Sequence, residues 1–230
     1  MKKLYILSII GCLTFTACDQ DLDIWDSETL EYSGRFLYEL YDENMSEQYF
    51  DYSYGYEIRI YNTSDNKINE IWIDDYYLND SLLLKSKFFL DGDAGSFKSK
   101  SSEFSELTNN EVTISPESNP EGQPEGNPES AEDRIEGIPQ KYIHCYINEG
   151  KIIPKGATTI GGNQADSIFI KLTLCSGTAS FKSVFIPEEN RTDPNIAYKW
   201  EIDVITHDPA KDVTRVISGH RYTGYPEDHY

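Results

Sequence analysis

Hydrolysis of an ester or amide needs an activated nucleophile, a Ser or Cys beside a His that a carboxylate orients. The chain has four histidines (His144, His207, His220 and His229) and four cysteines. Their spacing is poor for that chemistry. No Gly-x-Ser-x-Gly elbow occurs. His207-Asp208 stands before Pro209 in what reads as a turn, and His144 and His220 sit in strand-like runs with Tyr neighbours, as hydrogen-bonded structural histidines do. Asp91-x-Asp93-x-Gly95 resembles the opening of a calcium loop, but Ser102 stands where the bidentate Glu belongs, so a hairpin turn is the better reading. Glu227-Asp228-His229 lies at a terminus, where a cation would be held only loosely. Clustered zinc-ligand spacing is absent. The sequence thus assigns no catalytic residue, no metal ligand and no cofactor, and leaves enzymatic activity open.

Cys18 carries chemistry of another kind. Lys2 and Lys3 precede an apolar run, Leu4 to Phe15, too short to span a bilayer. Phe15-Thr16-Ala17-Cys18 resembles a bacterial lipobox with Phe in the usual Leu position, which makes Cys18 the acylated mature N-terminus. One acyl chain anchors weakly, at about 0.8 kcal/mol per buried CH₂, and a processed lipoprotein carries several. The acidic run Asp19-Gln20-Asp21-Leu22-Asp23 resembles the tether of lipoproteins displayed on the outer surface of Bacteroidota. The expected organisation is a signal peptide at 1–17, a lipidated N-terminus and tether at 18–30, and a single β-barrel domain at 31–230. The expected location is the outer membrane, anchored by lipid and exposed at the cell surface.

Charge narrows the partners. The net charge of −20 becomes −22 once residues 1–17, with two lysines and no acids, are removed, leaving 18 basic against 40 acidic groups. That balance excludes nucleic acid and adhesion to anionic head groups, so membrane contact belongs to the anchor alone.

The remainder reads as antiparallel β, with short runs of period-two alternation and no long amphipathic helix. Phe36, Tyr38 and Leu40 share one face, as do Tyr56, Ile58 and Ile60, while Ile71 and Ile73 flank Trp72. Further runs cover 82–90, 96–100, 141–148, 151–154, 167–175, 180–186, 198–206 and 213–222. Cys145 shares a face with Ile143 and Ile147, whereas Cys175 falls with Lys171 and Thr173, so alternation favours two separate thiols over a disulfide. Four tandem Pro-Glu tetrapeptides at 116–131 cannot bury apolar surface, and roughly 102–138 reads as a disordered Pro/Glu-rich loop insertion between two strands.

The C-terminal run Ser218-Gly219-His220-Arg221-Tyr222-Thr223-Gly224-Tyr225-Pro226-Glu227-Asp228 resembles the ending of the Bacteroidota lipoproteins catalogued as lipid-binding putative hydrolases. Tyr222 replaces the second Arg of that pattern. Glu31-Tyr32-Ser33-Gly34-Arg35-Phe36, Ile71-Trp72-Ile73-Asp74-Asp75 and Gly161-Gly162 agree with it. The resemblance implies an all-β, calycin/lipocalin-like antiparallel β-barrel. By analogy with lipocalins, Gly34, Phe36, Gly219 and Arg221 become structural residues, with Arg221 stacked over Phe36 to close one end. Within such a barrel, alternation puts Tyr38, Ile58, Ile73, Trp200 and Tyr222 around a cavity for a small apolar ligand, a lipid or fatty acid, bound without catalysis. The alternative is a non-catalytic glycan- or protein-interaction module beside an outer-membrane nutrient importer, using the aromatic run Tyr49–Tyr56. A third is the esterase implied by the family label.

Overall fold

The computed structural model describes residues 27–75, 85–91, 95–103 and 134–228. Cys18, the signal and tether up to residue 26, the Pro-Glu repeats and the tip of the 91–95 turn lie outside the described residues. Strands β1 (Gly34–Asp42), β3 (Glu57–Asn62), β4 (Glu70–Asp75), β5 (Lys85–Leu90), β6 (Ser96–Lys98), β7 (Arg134–Thr158), β8 (Gln164–Phe185) and β10 (Val213–Arg221) pair antiparallel in that order. β10 pairs with β1 as well as with β8, which closes the eight strands into a ring. A short β2 (Gln48–Phe50) pairs with β1, and β9 (Tyr198–His207) pairs with β8. The architecture is all-β and barrel-like, and closure leaves the ring without an open edge.

Alternation explains the core. Directly opposed residues of an antiparallel pair face the same way. Phe36 stands opposite Ile58, Ile60 opposite Ile73, Ile71 opposite Phe88, Leu90 opposite Phe97, Ile152 opposite Ile168 and Ile170 opposite Ile217. These apolar groups meet in one buried cluster, joined by Tyr38, Leu40, Leu172 and Leu174. An eight-strand ring is just wide enough for side chains to fill it, and Phe36, Ile58, Ile71, Ile73, Phe88 and Ile170 are each 0 % exposed.

Two strands are longer than alternation suggests. The runs at 141–148 and 151–154 belong to one 25-residue strand, β7, and those at 167–175 and 180–186 to the 22-residue β8. Register shifts at Gln140/His144, Ile147/Glu149 and Ile153/Ala157 let β7 bend without ending. At Gly177, between the two runs that join as β8, β9 comes close: a Cβ there would lie 2.1 Å from the Thr206 carbonyl oxygen. Residues 134–138, expected in the insertion, are strand, because Arg134 and Ile135 pair with Lys182 and Phe181. The far halves of β7 and β8 thus leave the ring and form, with β9, a three-stranded extension.

Arg221 closes one end. Its guanidinium carbon lies 4.8 Å from the centroid of Phe36. Nε donates to Asp166 at 2.8 Å, Nη2 to the Glu31 carbonyl at 2.8 Å, and Nη1 to the Ser33 carbonyl. Gly34 (φ 150°) makes room, since a Cβ would fall 2.2 Å from Nη1. Phe36→Ala should cost about 3–5 kcal/mol of stability through the cavity it leaves. Arg221→Lys keeps the charge but loses the planar fork, and should cost about 1.5–3 kcal/mol. Urea unfolding checks both; equal midpoints for wild type and R221K would refute the closure role.

Candidate functional site

The structure gathers three of the five residues expected to line a cavity. Tyr38, Ile58 and Ile73 meet in the core with 1 %, 0 % and 0 % exposure, so the ring interior there is filled. The Asp75 carboxyl, 3 % exposed on an inward-facing position of β4, lies beside Tyr38. Burial and that neighbouring carboxyl both push the Tyr38 hydroxyl pKa above its ordinary value, so it stays a neutral donor. Above Tyr38, at the end opposite Arg221, the chain from β2 into β3 packs aromatic on aromatic. Phe50 lies 5.5 Å from Tyr54 and 4.9 Å from Tyr56, and Tyr56 lies 6.3 Å from Tyr38. A 3-10 turn at Tyr52–Tyr54, capped by the Asp51 side chain, carries this group. Tyr52 sits 5.1 Å from the buried His220 ring.

Trp200 and Tyr222 are placed elsewhere. Trp200 is on β9, opposite Ser183 in the extension. Arg221 takes the position opposite Phe36, so alternation sends its neighbour Tyr222 outward. There Arg35 lies over the Tyr222 ring at 4.4 Å while binding Glu57 at 2.6 Å, and Arg59 reaches the same carboxylate at 3.2 Å. Gly219 stands opposite Tyr38, and Arg215, at the far end of β10, lies over Tyr49 at 4.6 Å. On the outer face Tyr61 and Trp72 oppose each other across β3 and β4, and they line a cleft of about 480 Å³ with Asn62, Asp65, Glu70 and Lys87.

Cys145 and Cys175 are not joined in a disulfide, and both are buried, at 2 % and 0 % exposure. Cys175 lies on the face of β8 opposite Leu174 and Cys145, as alternation suggests, but that face is covered instead of meeting solvent. Leu172 to Gly177 is buried on both faces, because this part of β8 lies where the ring passes into the extension. Cys175 stands opposite His144 and comes within 4.8 Å of ligand atoms of His207 and Asp212. His207 Nε2 lies 3.0 and 2.9 Å from the two Asp212 oxygens, and the Ser176 N–H donates to Asp212 at 3.0 Å. This thiol, imidazole and carboxylate mimic a nucleophile, base and orienting acid. Burial, then Asp212 and Cys145, push the Cys175 thiol up to about 12, far from the lowered pKa of a reactive cysteine. Sequence reading missed the convergence, since 32 positions separate Cys175 from His207; the faint signal was His207 and Asp212 flanking a Pro turn.

Asp228 anchors the C-terminal motif. It is 5 % exposed and accepts from the hydroxyls of Thr159 and Thr223, and from Asn163 Nδ2 at 3.2 Å, which docks the tail on the turn between β7 and β8. Burial pushes its pKa up, but the Thr159, Thr223 and Asn163 donors and the Gly161 amide outweigh it, so the net shift is below the ordinary 3.8. A depressed carboxyl stabilises the fold above its unfolded pKa, and that contribution disappears as pH falls through the folded value. Asp228→Asn should therefore lower Tm at pH 7 by an amount that shrinks below about pH 4. A Tm difference constant from pH 7 to 3 would contradict the assignment.

An all-β ring with an apolar interior, one end closed by an arginine and the other covered by aromatics, defines a barrel-like protein built around a hydrophobic core. The chain belongs to the family described as lipid-binding putative hydrolase, whose profile matches residues 21–226. No curated protein matches it.

Proposed function

We propose that this protein is a lipoprotein of the outer membrane, held at the cell surface by acyl chains on Cys18, that binds a small apolar ligand of lipid class without catalysis. The family supports lipid as the ligand class. The observation that carries a binding role is the apolar ring interior, in which the Tyr38 hydroxyl and Asp75 carboxyl lie together beneath the Phe50, Tyr54 and Tyr56 group. Arg221 blocks the other end, so the ligand enters on the aromatic side. The side chains there already fill the space, so uptake displaces the aromatic group, and the Tyr38–Asp75 pair meets the polar end of the ligand. At a net charge of −22 once residues 1–17 are removed, electrostatics add nothing to membrane attachment, which falls to the anchor.

A second reading, a glycan-binding module accessory to an outer-membrane importer, draws on the outer cleft. Tyr61 and Trp72 offer adjacent aromatic faces there, and Asn62, Asp65 and Glu70 supply polar groups suited to sugar hydroxyls. Esterase activity has less support, because the buried Cys175 thiol is not activated.

Mass spectrometry of an organic extract of the natively purified protein tests the first reading. The expected result is one lipid or fatty acid per chain. An empty extract, together with glycan retention that Trp72→Ala abolishes, would replace it with the second.

A further inference from the structure

The junction between ring and extension brings together the chain's most concentrated set of metal-type ligands among the described residues. β9 ends at His207, a 3-10 turn at Pro209–Lys211 reverses the chain, and β10 begins just after Asp212. The two flanks of that turn, five residues apart, converge on Cys175 of β8. We propose that Cys175 Sγ, one imidazole nitrogen of His207 and one carboxylate oxygen of Asp212 form a binding site for a zinc-type divalent ion.

Four observations support the assignment. One ligand atom from each residue lies within 4.8 Å of the other two, and His207 Nε2 already lies 3.0 and 2.9 Å from the Asp212 oxygens, so tetrahedral spacing around zinc needs only a slight parting of that pair and an approach of the sulfur by at most about an ångström. The donor set pairs a soft sulfur with an imidazole and one carboxylate, which suits zinc and disfavours the all-oxygen ions calcium and magnesium. The ligands are held before the ion arrives. The Ser176 amide donates to Asp212 at 3.0 Å, and the Asp208 amide donates to the Ser176 carbonyl at 2.9 Å, tying the turn to β8. Such bonds behind the ligands fix their orientation. Finally, the thiol is at 0 % exposure while the His207 and Asp212 side chains retain 19 % and 17 %, which leaves an approach from solvent on their side.

Binding replaces the His207–Asp212 hydrogen bond with two metal bonds: the proton of that bond leaves Nε2 and the imidazole carries its proton on Nδ1, taken up from solvent, while the thiol proton is released to solvent as the metal–sulfur bond forms. With three protein ligands, the fourth position falls to water or to His144, which stands opposite Cys175 across the β7–β8 ladder. A filled site would join β8, β9 and β10 at the point where β8 leaves the ring. The proposal does not depend on lipid binding, so an empty lipid extract leaves it untouched.

The full chain, purified in detergent and stripped with chelator, is titrated with Co²⁺ as a spectroscopic stand-in for zinc. One equivalent should produce the visible bands of tetrahedral cobalt and a near-ultraviolet thiolate-to-cobalt charge-transfer band. Cys175→Ser should abolish the charge-transfer band, while Cys145→Ser should keep it. His207→Ala alters a partly exposed side chain, so folding survives more readily; it should keep the sulfur band and weaken cobalt binding at least about tenfold. The proposal fails if cobalt gives no sulfur band, if the band survives Cys175→Ser, or if His207→Ala binds as tightly as wild type.

Discussion

Ring closure through β10 is the constraint on which the rest of this structure depends. β10 is the last strand, and it must satisfy two neighbours at once, β1 over Phe36–Asp42 and β8 over Ser167–Leu174. If either ladder slipped by one residue, the inward set on β10 would change face. Arg221 holds the register at one end, because its fork reaches carbonyls of residues 31 and 33 and the carboxylate of Asp166 together. Those partners belong to the segment before β1 and to β8, the two neighbours of β10. Arg221 is therefore a lock on closure as well as a cover for Phe36. Asp228 continues the lock by fixing the tail to the turn between β7 and β8.

The second organising feature is the long β7–β8 hairpin, which serves two bodies of sheet. Its near half completes the ring, and its far half, with β9, makes the extension. Outward-facing residues of a ring normally meet water, but at the crossing point they meet the turn after β9. Cys175 is buried for that reason, and His207 and Asp212 are brought to it. Arg134 and Lys182 both pair with Asp203, at 2.6 and 2.9 Å, and so link all three strands of the extension.

These features separate lipid binding from other uses of the surface. The interior carries aromatic and branched aliphatic groups with one hydroxyl–carboxyl pair, a chemistry matched to an apolar chain with a polar end. The outer cleft by Tyr61 and Trp72 is rich in amide and carboxylate groups, and the junction holds sulfur, nitrogen and oxygen donors. The three regions lie on different parts of the sheet.

Much of the fold was legible in the chain. Alternation along 35–40 and 56–61 correctly separated Phe36, Tyr38, Leu40, Ile58 and Ile60 from their outward neighbours, because successive strand residues must face opposite ways whatever the partner. The C-terminal motif pointed to the family. Tertiary structure decided where strands ended, since the bulges of β7 are bridged by pairing with β8 and Gly177 lets β9 approach β8 closely. It also decided which faces are inside. Trp200 alternates as a core residue would, but β9 joins only the extension, and Tyr222 is turned outward by the position Arg221 takes. Cys175 is distant in sequence from His207 and Asp212 and adjacent to them only because the turn between β9 and β10 folds back on β8. Local periodicity records which side of a strand a residue occupies; what that side faces is set by pairings between distant segments.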